Sequence, residues 1–169
     1  INLKDTHRCQ VSHSTMTDVA SGIVLPATGG QTLDTKIMDN SITLSDNNSL
    51  HGIYIDGGHQ QIGIFNNYVR NLLDGGHPSE PFGIHVSAQK GSEEVDVRIE
   101  GNTVIGFYDA ANSHGHGIAC WEGTVAGSEG TGIGAVITGN TLSRCDISIE
   151  GWLDITITGN NIDAAAAAG

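Results

Sequence analysis

Basic residues, aromatics and proline are all scarce in this chain. Seven Lys and Arg stand against nineteen Asp and Glu, a formal net charge of −12. Such a surface repels phosphate backbones and anionic bilayers, which argues against nucleic acid as a partner. The three cysteines, Cys9, Cys120 and Cys145, include no C-x-x-C spacing, so neither a zinc site nor a disulfide framework is expected, and buried free thiols are. Eight histidines without an H-x-x-x-H pair argue against a transition-metal centre. No apolar run approaches the roughly 20 residues of a membrane span, and the first residues lack the layout of a signal peptide, so no membrane insertion is expected. Three Pro and 5% aromatics beside 24 Gly describe a chain that turns often, and the glycines do not fall at every third position as in collagen.

What the chain has instead is repetition. Ile37-Met-Asp-Asn40-Ser-Ile42 returns at Ile64 to Val69, Ile99 to Val104, Ile137 to Leu142 and Ile157 to Ile162, each time with Asn at the fourth place. A second pattern alternates with it: Gly22-Ile-Val-Leu25, Gly52-Ile-Tyr-Ile55, Gly83-Ile-His-Val86, Gly117-Ile-Ala-Cys120 and Asp146-Ile-Ser-Ile149. Units this small bury an apolar face only by stacking on copies of themselves. One Asn motif plus one Gly-Ile strand therefore makes one coil of an all-β solenoid, and 38% hydrophobic content suffices for a continuous core. Leu3 to Thr6 reads as a degraded earlier copy. Residues 1–163 are read as one domain, and the tail 164–169, mostly alanine, as a linker or placeholder outside the fold. Without polar caps at its ends, the solenoid is expected to belong to a longer chain.

Alternation along the Gly-Ile strands sends Ile53, Ile55, Ile84, Val86, Ile118 and Cys120 inward and the residues between them outward. Counted back in the same way, His51 and His116 fall on the core side. Asn40, Asn67, Asn102, Asn140 and Asn160 are expected to stack at a turn, tolerating left-handed backbone and hydrogen-bonding from coil to coil, which makes them structural.

The alternating I-x-G-N-x-I and G-I-x-V segments resemble the coils of the right-handed parallel β-helix proteins, the pectate-lyase-like superfamily, over about Leu3 to Asp163. The resemblance implies a right-handed, single-stranded parallel β-helix of about five to six coils. Its members include polysaccharide lyases, hydrolases and epimerases, and also viral tailspikes and adhesins. Gly115-His116-Gly117 is similar to the Gly-His-Gly segment of the polygalacturonases. Phe82-Gly-Ile-His-Val-Ser87 resembles the strand after that family's first catalytic aspartate, although Glu80-Pro81-Phe82 stands where Asn-Thr-Asp is expected. The paired aspartates and the Arg-Ile-Lys of that family have no counterpart here.

Asn-to-Asn spacings of 27, 35, 38 and 20 residues place insertions in the two middle coils, beside the Gly-Ile sheet. Inserted segments of a solenoid gather on one face, often the binding face. The outward positions Tyr54, Asp56, His85, Trp121 and Glu150 are the candidate substrate-binding residues, since aromatic faces beside carboxylates suit sugar rings. Asp56 and Glu150 are three coils apart, about 14 Å, too far to act on one glycosidic bond. The catalytic candidates are therefore Asp74, Glu80, Asp109 and His114 in the insertions, with Glu122 beside them; Glu80 and His114 occupy equivalent places on neighbouring coils and would pair as carboxylate and base. No metal site and no cofactor is expected. Calcium, used by many lyases of the superfamily, is left unassigned because three aligned acidic residues are not visible.

The expected function is to bind and degrade a polysaccharide, with lyase, hydrolase and epimerase left open. The alternative is a non-enzymatic structural or receptor-binding segment of a tailspike, tail fibre or surface adhesin. The resemblance implies a polysaccharide or cell-surface glycan as partner, an extracellular or virion-surface location and, for the spike branch, a homotrimer.

Overall fold

A computed structural model describes residues 1–4, 7–26, 33–45, 51–72, 81–88, 95–107, 116–122 and 131–163. The described residues are all strand, turn and irregular chain, and every strand pairing among them is parallel. Three sheets result. The Ile-Asn sheet stacks Gln10–Ser12, Leu33–Met38, Gln60–Phe65, Val95–Glu100, Gly132–Thr138 and the pieces Trp152–Leu153 and Thr156–Thr158. The closing sheet stacks Thr15–Val19, Ser41–Leu44, Tyr68–Asn71, Thr103–Ile105, Thr141–Ser143 and Asn161–Asp163. The Gly-Ile sheet stacks Ser21–Leu25, His51–Asp56, Phe82–Ala88, His116–Glu122 and Asp146–Ile149. The chain visits the sheets in rotation, each strand lying on the equivalent strand of the preceding circuit, an arrangement consistent with a parallel β-solenoid.

The two sequence patterns are the two sides of this stack. Ile37, Ile64, Ile99 and Ile137 from the Ile-Asn sheet meet Ile53, Ile55, Ile84, Val86, Ile118 and Cys120 from the Gly-Ile sheet, all fully buried in one aliphatic core. Identical residues recur in register, Ile23 on Ile53 on Ile84 on Ile118, so branched side chains of one shape pack layer on layer.

The asparagines form a continuous ladder. Nδ2 of Asn40, Asn67, Asn102 and Asn140 donates to Oδ1 of the next Asn at 3.0, 3.0, 3.0 and 2.9 Å. The same Oδ1 accepts the backbone N–H of the preceding Asn, and each Nδ2 also reaches an Ile or Val carbonyl one coil earlier. Every buried polar atom of the amide is thereby used, which is what allows it inside a core. The structural reading holds, with one correction: the left-handed residue is the one before each Asn, namely Asp39, Asn66, Gly101, Gly139 and Gly159, at φ of 52 to 67°.

The earliest copy of the Asn motif also differs from expectation. It is Val11-Ser-His-Ser14-Thr-Met16, in which Ser14 N–H donates to Asn40 Oδ1 at 3.0 Å and Val11 supplies the carbonyl for Asn40 Nδ2. Leu3, read as part of a degraded copy, instead bonds to Val24 at the edge of the Gly-Ile sheet.

The Ile-Asn sheet carries a second left-handed column. Arg8, Asp34, Gln61, Asp96, Gly134 and Asp154 have φ of 52, 55, 57, 57, 75 and 54°, and strand register sets Asp34, Gln61 and Asp96 side by side. Each coil bends at this point, and five of the six positions carry an ordinary side chain in a conformation that disfavours one.

Candidate functional site

Two consecutive residues at the start of each Gly-Ile strand face the core. Ile53, Ile84 and Ile118 are buried, and a Cβ on the preceding Gly would also collide inward: Gly52 with Val69, Gly83 with Val104, and Gly117 with Leu142 at 2.7 Å and Cys145 Sγ at 2.6 Å. Glycine fits because the backbone there runs against the core and against the carbonyl of the next coil, 2.6 Å from the Cβ position at Gly52 and Gly83. Simple alternation fails across this corner. The residue before the glycine turns outward, and this corrects the placement of His51 and His116 on the core side.

The consequence is a cluster of six rings on the outer face. His51 stacks on Tyr54 of its own strand at 4.3 Å between ring centroids and on Phe82 of the next strand at 5.2 Å. Phe82 stacks on His85 at 4.3 Å and on His116 at 5.1 Å, nearly parallel in both cases. Trp121 closes the group edge-on, 5.0 Å from Phe82, 5.7 Å from His85 and 4.8 Å from His116. In register, Ser21, His51, Phe82, His116 and Asp146 form one column, while Val24, Tyr54, His85, Ala119 and Ser148 form its neighbour.

Polar partners fix the rings. His51 Nε2 and His85 Nδ1 are 3.1 Å apart, so one donates and the other accepts. His116 Nδ1 stands 3.3 Å from Asp146 Oδ1. Trp121 Nε1 donates to Ser148 Oγ at 2.9 Å, and Trp152 Nε1 donates to the Trp121 carbonyl at 3.3 Å. Burial lowers His51 to about 4, and burial reinforced by the adjacent His51 and His116 lowers His85 to about 3, so both rings are neutral near pH 7. Burial, then the neighbouring Asp56 carboxylate, pushes the Tyr54 hydroxyl upward, so Tyr54 stays protonated.

The structure thus brings Tyr54, His85 and Trp121 together, as the alternation predicts, but not as equals. His85 is 1% exposed, and Ser87 and Ala119 are fully buried, so the expected outward surface is covered in its middle. The rings of His51, Tyr54, Phe82 and Trp121 wall His85 in. Tyr54, Asp56, Trp121 and Glu122 are half-buried and Glu150 is exposed; these form the accessible rim. Glu150 pairs through its backbone with Cys120 and Glu122, which sets Glu122 and Glu150 on adjoining coils. His51, Phe82 and His116 are the members that alternation missed. Their signal is the position directly before the glycine, legible only if that glycine is known to face inward.

Asp74, Glu80, Asp109 and His114, the four catalytic candidates, lie outside the described residues, as do the 164–169 tail and the proposed Glu80–His114 pairing. Among the described residues no group of three or more His, Cys, Asp or Glu is arranged to hold a metal ion, and no helix is long and apolar enough to cross a membrane. Comparisons with protein-family models, with curated proteins and with solved structures return no match.

Proposed function

We propose that this chain is a right-handed parallel β-helix of the pectate-lyase-like kind that binds a polysaccharide across the outer face of the Gly-Ile sheet. The observation that carries this reading is the six-ring cluster rimmed by Asp56, Glu122 and Glu150. Locked aromatic faces beside carboxylates offer a sugar both a stacking platform and acceptors for its hydroxyls. In sequence, the segments holding Asp74, Glu80, Asp109 and His114 lead directly into the two central strands of this sheet, and cleavage is assigned to them.

The test is a glycan-binding panel with wild type, Trp121→Ala and His85→Ala, with circular dichroism as the folding control. Lost retention of one glycan class by the folded variants is the expected result. Unchanged retention by both would refute the site. Release of reducing ends, or of an unsaturated product absorbing in the ultraviolet, separates hydrolase from lyase.

One observation favours a second reading, a non-enzymatic receptor-binding segment of a spike or adhesin. His51 and His85 are stacked against aromatic rings and held neutral by burial, a packing role that suits the cluster to a binding surface. Retained binding with no product from any glycan on the panel would decide for it.

A further inference from the structure

The rim of the ring cluster carries charge of one sign. The five strands of the Gly-Ile sheet hold Asp56, Glu122 and Asp146, Glu150 follows the last of them, and none of the five contains Lys or Arg. The histidines beneath do not compensate, because burial keeps His51 and His85 neutral near pH 7. The outer face of the Ile-Asn sheet differs. Its trough of about 540 Å³ sets Lys36 and Arg98 among Asp34, Asp96 and Asp154, so opposite charges offset one another there.

Register puts the carboxylates beside the aromatic platform. Asp56, Ser87 and Trp121 lie in one row on successive strands. Glu150 lies across from Trp121 on the next coil, since its backbone bonds to Cys120 and Glu122 on either side of the tryptophan. Trp121 therefore has Glu150 one coil step away, about 4.8 Å, and Asp56 two steps away on the other side, about 10 Å. Glu122 joins Glu150: a Cβ on Gly151 would stand 2.8 Å from Glu122 Oε2, so the glycine leaves the space in which that carboxylate lies. At the other end of the row the Tyr54 hydroxyl donates to Asp56.

Such a rim discriminates by ligand charge. A uronate would bring its carboxylate toward Asp56, Glu122 and Glu150 with no Lys or Arg on these strands to receive it, and would be repelled. A protonated amine gains at each of the same places: the carboxylates accept its hydrogens, and the faces of Trp121 and Tyr54 attract its charge. Glu122 and Glu150, on adjoining coils, also repel each other until a cation lies between them. The net charge of −12 draws a polycation toward the molecule from a distance.

We propose that the ligand of the Gly-Ile face is a cationic glycan, a polysaccharide with free amino groups, whose ammonium groups meet Asp56, Glu122 and Glu150 while its rings stack on Tyr54 and Trp121; this rests on that face being the glycan site. Titration calorimetry at about pH 6, where free amines carry a proton, compares three oligomers of equal length: a glucosamine oligomer, its N-acetylated counterpart and a galacturonate oligomer. Wild type is expected to bind the glucosamine oligomer about tenfold or more tighter than the N-acetylated one, to lose that preference as salt is raised, and to bind galacturonate most weakly. The double variant Glu122→Gln, Glu150→Gln, with circular dichroism as its folding control, is expected to lose about tenfold in affinity for the glucosamine oligomer and to bind the N-acetylated one as wild type does. Glu150→Gln alone, at an exposed position, should lose part of it. Equal or tighter binding of the N-acetylated or galacturonate oligomer, no binding of the glucosamine oligomer by wild type, or an undiminished preference in both variants would overturn the proposal and leave the face a glycan site for another class. Wild-type affinity for the glucosamine oligomer in Trp121→Ala would instead overturn the glycan site itself, and this inference with it.

Discussion

His51 Nε2 meets His85 Nδ1 at 3.1 Å across two adjoining strands, each ring lying between aromatic faces. Neither ring can accept a proton without placing a charge among Tyr54, Phe82 and Trp121. The pair works as a packed, neutral spacer, and its protonation is coupled to folding.

Acid should therefore unfold or loosen the protein through these rings. Their folded values, about 4 and about 3, lie below the unfolded value of 6.5, so between those limits the unfolded chain binds more protons than the folded one. The stability they contribute is full above pH 6.5 and falls as pH drops toward 4 and then 3. The ionisable groups beside the pair are Asp56, next to Tyr54, and His116 with Asp146 3.3 Å from it. Urea unfolding followed between pH 7 and pH 4 should show a decline on the order of a few kcal/mol, reduced in His51→Phe. A flat profile in both proteins would refute the coupling.

The asparagine ladder predicts a graded mutational series. Asn102→Ala removes the acceptor of the Asn67 backbone and side-chain N–H groups and the donor to Ile64 and Asn140. Several buried groups lose partners at once, for a cost of about 3–5 kcal/mol. Asn160→Ala, at a half-buried rung, should cost clearly less. Equal losses at both positions in chemical denaturation would contradict a ladder whose strength rests on burial.

The inward-facing glycines predict steric intolerance. An alanine at Gly83 would meet Val104, the Gly117 carbonyl at 2.6 Å and Phe107 at 3.2 Å, all on rigid neighbours. Gly83→Ala should destabilise by about 3 kcal/mol or more, as overpacking of a tight core does. Thermal melting within a degree or two of wild type would show that the corner can move aside.

Thiol chemistry separates the cysteines. Cys120 and Cys145 are buried, and burial pushes the Cys145 thiol up to about 12; Cys9 is only half-buried. Under native conditions a maleimide should label one thiol quickly, at Cys9, and the other two only on unfolding. Rapid native labelling at Cys145 would contradict the packing of the core.

Much of this architecture is legible in the residues because the patterns that encode it are local. The Asn motif and the Gly-Ile strand each lie within six residues, and their strict alternation makes one of each a single coil. The first coil carries no such signature, because Ser14 holds the place of the ladder asparagine and supplies only its backbone N–H to the ladder. The ring cluster was half legible: Tyr54, His85 and Trp121 follow from alternation, whereas His51, Phe82 and His116 lie beyond a corner where alternation resets.

The sequence by itself determined the repeat, the aliphatic core and the structural role of the asparagines, because each follows from a short period and from the need of every small coil to bury its face on the next. Tertiary structure alone decided which side chains meet across coils. The inward turn at Gly52, Gly83 and Gly117 sends the preceding residues outward and makes scattered rings into one cluster. The left-handed column at Asp34, Gln61 and Asp96 bends another sheet, and Lys36, Phe65 and Arg98 come to line one trough there. Both outcomes depend on backbone direction at single residues and on register between distant strands, neither of which a one-dimensional pattern records.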